Sequence, residues 1–165
     1  DLAAVATLAL DQSSAEADEA GLTVERRLEP APVTGSRVLL ERLVGNLVQN
    51  AVRHNVPGGW VQVETGPAGR VRVVNSGPVV PADQVADLFE PFRRLAPDRV
   101  DSARGVGLGL SIVRSVARAH GGDVRAVARP AGGFDVTVSL RMSPTASPTL
   151  DAGPPRPLPV PVSRG

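Results

Sequence analysis

The sequence predicts a two-layer α/β sandwich, in which a mixed, mainly antiparallel sheet of about five strands carries three main helices on one face. Three observations lead there. Strand-like and helix-like segments follow one another in mixed order, three segments repeat apolar residues at helical spacing, and two pairs of strand-like segments are joined by short Gly/Pro turns of the kind that close hairpins. The 165 residues, 42% of them hydrophobic, suffice for one domain with its own core.

Taken in order, Leu2 to Ala20 places Leu2, Val5, Leu8 and Ala9 on one face of a helix that Gly21 can end. Leu22, Val24, Arg26 and Leu28 then alternate with polar residues as in a half-exposed strand. A long helix runs to His54, with Ser36 as its candidate cap and Leu39, Leu40, Leu43, Leu47 and Val48 as its buried stripe. Trp60 to Thr65 and Arg70 to Val74 form a hairpin around Gly66-Pro67-Ala68-Gly69, and Asp83 to Phe89 makes a short helix. Arg93 to Arg104 has no period and reads as a loop. Leu108 to His120 is a helix closed by Gly121-Gly122, and strands over Asp123 to Ala128 and Phe134 to Arg141 flank the turn Pro130 to Gly133. Seven prolines between Pro144 and Pro161 favour neither helix nor sheet, so residues 1–142 are expected to be the domain and 143–165 a disordered tail.

Composition narrows the function classes. The 18 basic residues are all arginine and face 17 acids for a net charge of +1, so no basic stripe points to nucleic acid. There is no cysteine, which removes disulfides and thiolate metal ligands and suits the cytoplasm. No run of about 18 apolar residues and no signal-like start is present, so any membrane anchor is expected elsewhere in a parent protein.

Two clusters carry chemistry. Asn46, Asn50, Arg53 and His54 fall at i, i+4 and i+3 spacings, one polar stripe opposite the leucines of the long helix. By themselves these four also fit a solvated face; a neutral amide oxygen is equally a hard ligand for Mg²⁺, and an arginine beside it can fork onto phosphate. The second cluster, Gly105 to Val113, passes from glycines straight into an apolar helix, offering bare N–H groups to an anion. It lacks the lysine of a Walker A loop, and Leu110 occupies the third glycine position of a dinucleotide fingerprint.

In their order and spacing these segments resemble the boxes of sensor histidine kinases. Leu43 to Asn55, with its Asn46-Leu47-Val48-Gln49-Asn50 core, resembles the N box; Asn75-Ser76-Gly77-Pro78-Val79 the G1 box; Leu88-Phe89-Glu90-Pro91-Phe92 the F box; and Gly105 to Leu110 the G2 box. The resemblance implies the Bergerat ATP-binding sandwich shared with gyrase, Hsp90 and MutL. It implies ATP and Mg²⁺ as cofactors, with Asn50 as metal ligand, Arg53 as phosphate contact, Asn46 in support and His54 beside the nucleotide. Asn75, Gly77, Val80, Gly105, Val106, Gly107, Leu108 and Gly109 would line the nucleotide, Arg93 to Arg104 would be a lid contributing Arg99 and Arg104, and Thr137 would lie on the strand flanking the adenine pocket. The expected partners are a dimerisation and histidine phosphotransfer hairpin of the same parent, and a response regulator. This chain is expected to be monomeric and cytoplasmic, and the parent a membrane-anchored homodimer.

The implied reaction is transfer of the γ-phosphoryl group of ATP to a histidine. ATP-hydrolysing relatives usually carry glutamate where Asn46 stands, and an amide cannot take a proton from water. Two residues depart from the pattern. Asn75 replaces the aspartate that reads adenine, though its amide oxygen can accept the same bond, and Val79 replaces a glycine, so the loop backbone must differ there. Neither histidine fits as acceptor: His54 belongs to the N box, and His120 sits at a helix C-terminus as a cap. A nucleotide-binding module without activity, or a serine kinase of the type that controls sigma factors, remain alternatives on the same fold.

Overall fold

The computed structural model describes residues 1–90 and 108–141. The first helical stretch is two helices, α1 (Leu2–Gln12) and α2 (Ser14–Glu19). The break at Ser13 follows from a local competitor: the Ser14 hydroxyl donates to the Asp11 carbonyl (2.9 Å), an alternative to continuing the ladder. Asp1 accepts from the N–H groups of Ala3 (3.0 Å) and Ala31 (2.9 Å), capping α1 and tying it to the segment after the first strand. Gly21, at φ +65°, ends α2 in the left-handed conformation.

Strand β1 (Thr23–Leu28) pairs in parallel with β2 (Trp60–Gly66), Thr23 opposite Trp60, and the crossover between them is α3 (Arg37–Arg53). β2 turns back into β3 (Arg70–Asn75) through Pro67, Ala68 and Gly69, the last two at φ +63° and +61°. Gly69 is required twice over, because a Cβ there would lie 2.5 Å from the Leu140 carbonyl. Helix α4 (Gly109–Ala119) leads into β4 (Asp123–Ala128), which pairs antiparallel with β5 (Phe134–Ser139). β5 inserts beside β3, giving the order β1-β2-β3-β5-β4, a five-stranded mixed sheet as expected. The short helix expected over 83–89 is instead two 3₁₀ turns, Ala82–Gln84 and Ala86–Phe89; so few residues cannot offset the cost of nucleating an α-helix.

Val61 and Val63 on β2, Val71 and Val73 on β3, and Val136 and Val138 on β5 all point to one side, where α1, α3 and α4 cover them. The stripes differ from expectation at two leucines. Leu8 and Leu39 are 37% and 39% exposed, while Ala6, Leu10, Val44, Ala51 and Val52 are buried. The buried face of α3 runs from Leu43 through Leu47, Leu40, Ala51 and Val44 to Val48 and Val52, and at a 100° turn per residue Leu39 falls beyond its edge. Alternate strand residues form the outer face of the sheet, where Arg72 forks onto Asp135 and also bonds Glu64 (3.2 Å).

Candidate functional site

The polar stripe of α3 meets the first turn of α4. A Cβ built on Gly109 would lie 3.1 Å from both Nδ2 and Oδ1 of Asn50 and 3.5 Å from Oδ1 of Asn46. Both asparagines are therefore brought against the start of α4, where a Cβ would fit tightly against the Asn50 carboxamide. The Asn46 nitrogen donates one turn back to the Arg42 carbonyl (2.8 Å), which turns its oxygen toward Gly109. Among the described residues no side chain caps the α4 N-terminus, so it presents backbone N–H groups and the positive end of the helix dipole beside two amide oxygens. Neutral oxygens next to uncapped N–H groups suit a hard cation together with the anion it accompanies.

The second wall is the end of β3. Asn75 is 4% exposed and its Nδ2 donates to the Ser76 carbonyl (2.6 Å), so Oδ1 is the acceptor it can offer. Gly77 follows with ordinary φ, and its need for glycine is steric: a Cβ would sit 2.9 Å from the His54 carbonyl and 3.3 Å from the Gly133 Cα. Val79 is 71% exposed and does not adopt positive φ, which explains how the loop accepts a side chain there. Val80, the next residue, is buried.

Three residues without an assigned role hold this wall in place. Asn55 donates to the carbonyls of Ala51 (3.0 Å) and Trp60 (3.1 Å) and accepts from the Ser76 hydroxyl (2.7 Å), joining the end of α3 to the edges of β2 and β3. Arg129 donates to the carbonyls of Asn75 (3.2 Å) and Gly132 (3.3 Å), with its guanidinium 4.6 Å from the Trp60 ring centroid. Asn55 and Ser76 lie inside the boxes read from the sequence; nothing local marks Arg129, because the partner that ties it to this wall, Asn75, is 54 residues away.

The other expected site residues are distributed as follows. Arg53 turns to α2 and donates Nε to Glu16 (3.0 Å), at a cleft of about 450 Å³ lined also by Glu19, Val52, Asn55, Val56 and Pro57. His54 is exposed at the end of α3, its N–H donating to the Asn50 carbonyl (3.0 Å). Leu108 immediately precedes α4, and the Ser111 hydroxyl and the Ile112 N–H both donate to its carbonyl. Thr137 stands opposite Arg72 on the outer face of the sheet, away from Asn46 and Asn50. Arg99, Arg104, Gly105, Val106 and Gly107, with the lid expected over Arg93 to Arg104, Pro91 and Phe92 of the F box and the tail from 143, lie outside the described residues. At the described end of the F box, Arg114 of α4 bonds Glu90 (2.9 Å).

His120 is a cap, as expected, and more. Its Nδ1 lies 2.8 Å from the Val116 carbonyl while Nε2 accepts from the Ser36 N–H (3.2 Å). A ring nitrogen that accepts carries no proton, so Nδ1 is the donor and the imidazole ties the end of α4 to the start of α3. Ser36 does sit at the cap position of α3, but its hydroxyl makes no capping bond.

Residues 35–144 match the family model described as histidine kinase-, DNA gyrase B-, and HSP90-like ATPase. Over 145 residues the chain is 57% identical to the sensor protein CutS of Streptomyces coelicolor, an alignment that covers 85% of this chain and 35% of CutS. Among solved structures, a mycobacterial sensor histidine kinase, MprB, superposes with a TM-score of 0.71 at 28% identity, covering 87% of this chain and 97% of that one. The catalytic domain of the histidine kinase ThkA, in a nucleotide-free form, gives 0.66 at 25% identity, with 84% and 91% covered. The chain spans about a third of the length of CutS.

Proposed function

We propose that this chain, which belongs to the histidine kinase-, DNA gyrase B-, and HSP90-like ATPase family, binds Mg²⁺–ATP between α3, α4 and the end of β3 and donates the γ-phosphoryl group to a histidine on a separate helical hairpin of its parent protein. The observation that carries this reading is the convergence of Asn46 and Asn50 on Gly109 at a helix N-terminus that no described side chain caps. Asn50 would hold Mg²⁺ through its amide oxygen, and the ion would supply charge neutralisation at the phosphates. The α4 N-terminus would receive phosphate oxygens, with Arg53 reaching from α3 as a further contact. Asn75 Oδ1 would accept a hydrogen bond from the exocyclic amine of the base.

Asn46 supports transfer over hydrolysis. Its nitrogen is committed to Arg42, its oxygen is neutral, and no carboxylate stands there to take a proton from water. The phosphoryl acceptor, the response regulator that would take the group onward and a membrane anchor in the parent belong to this same reading. No helix among the described residues is long and apolar enough to cross a membrane.

The test is calorimetric titration with ATP, with and without Mg²⁺. The expected result is metal-dependent binding that Asn50→Ala weakens more than Asn46→Ala. No heat at millimolar nucleotide would refute the reading, and equal loss at both positions would remove Asn50 as the metal ligand.

A further inference from the structure

Arg53 departs from the rest of its stripe. Asn46 and Asn50 approach Gly109, whereas Arg53 points to the other side of α3 and pairs with Glu16 in the first turn of α2, Nε to Oε1 at 3.0 Å. The pair lies at the mouth of the cleft between α2 and the end of α3, with the arginine side chain 32% and the glutamate 44% exposed. An ion pair this open to water shifts an equilibrium by no more than about fivefold, so the guanidinium can exchange partners.

We propose that Glu16 is a competing anion for Arg53: it holds the guanidinium in the α2–α3 cleft, and nucleotide phosphate must draw Arg53 out of that pair. This rests on the reading of Arg53 as a phosphate contact. A single carboxylate loses to the several charges of a bound triphosphate, but the pair must be broken first, and the affinity for nucleotide is reduced by that factor. Glu16 thereby acts as a positioning residue that sets phosphate affinity without touching the nucleotide. It lies in the helical segment ahead of β1, so a displacement of α2 would change the affinity through the same contact.

The experiment is titration of the chain with Mg²⁺–ATP and with adenosine, using wild type, Glu16→Ala, Arg53→Ala and the double variant. Glu19→Ala serves as the control, since it removes the same charge from the same cleft and leaves the Nε contact intact. Glu16→Ala is expected to tighten ATP binding by about two- to fivefold, to leave adenosine unchanged, and to have no effect once Arg53 is gone. Glu16→Gln, which keeps the shape and loses the charge, should move in the same direction and covers the case in which the alanine variant folds poorly. Unchanged or weaker ATP binding in both Glu16 variants, with Arg53→Ala still weakening it, would overturn the competition and leave the phosphate contact standing. So would an equal gain from Glu19→Ala, or a gain that persists without Arg53. Arg53→Ala binding ATP as wild type does would overturn the contact and the competition together.

Discussion

Gly109 is the residue on which the proposed site turns, because a Cβ there would already lie 3.1 Å from the Asn50 carboxamide and a larger side chain would crowd it further. Gly109→Val is expected to weaken nucleotide binding by at least about tenfold, equivalent to roughly 1.4 kcal/mol, while the melting temperature stays near wild type; parallel titration and thermal unfolding check this. Two other glycines make opposite predictions about stability. A Cβ on Gly35 would lie 2.1 Å from Cδ2 and 2.5 Å from Nε2 of His120, so Gly35→Ala must displace the imidazole that joins α3 to α4 and should cost about 1–3 kcal/mol. Gly45, in the middle of α3, has nothing within 4 Å of an added Cβ. Gly45→Ala should therefore stabilise by about 0.5–1 kcal/mol, since alanine restricts the unfolded chain and favours the helix. Chemical denaturation of the two variants beside wild type reads both signs.

Among the elements, the β4–β5 hairpin does more than close the sheet. Its turn puts Gly133 against the Asn75 carbonyl and Gly132 against that of Gly77, and Arg129 clamps the same stretch from the strand end. Arg129→Lys keeps the charge but loses the flat guanidinium that stacks on Trp60 and aims Nη1 at both carbonyls, so it should lower nucleotide affinity more than it lowers stability; comparable losses in both would make the clamp purely structural. On the outer face, the hydrogen bonds of Arg72 are the main cause holding the Asp135 carboxyl below its usual value of 3.8, and pairing with Asp135 raises Arg72 further. A depressed carboxylate stabilises the fold fully above its unfolded value and loses that contribution as pH falls through the lower folded value. Stability should thus decline below about pH 4, and Asp135→Asn should flatten the decline while costing less than about 1 kcal/mol at neutral pH, given the partial exposure of the pair. Equilibrium unfolding between pH 7 and pH 2 decides it.

For the whole molecule, the inventory of residues bears on what this chain can do alone. His120 is committed at both nitrogens to Ser36 and Val116, and His54 ends α3 beside the Gly77 loop. The chain is therefore expected not to label itself with radioactive ATP, and to label a separate hairpin carrying the parent's acceptor histidine slowly, because tethering no longer raises the local concentration of acceptor. Acid-labile label on the chain alone would mean that one of these histidines accepts phosphate. Acid-stable label on the hairpin would move the chemistry to a hydroxyl acceptor.

The sequence by itself determined the five strands, the two long helices and their order, the polar face of α3 and the glycine that opens α4. Helical and strand periods are local, and the spacing of Asn46 and Asn50 alone puts them on one side of a helix. Only the tertiary structure decided which neighbours those elements have. It made β1 and β2 parallel, inserted β5 between β3 and β4, put Thr137 on the outer face and drew Arg129 to Asn75. The choice of Arg53 between Glu16 and the Gly109 side was decided there too, as was the second partner of His120. Such pairings join residues tens of positions apart through side chains with several possible rotamers. No spacing rule selects among those rotamers, whereas packing leaves room for one and puts its hydrogen-bond partner within reach.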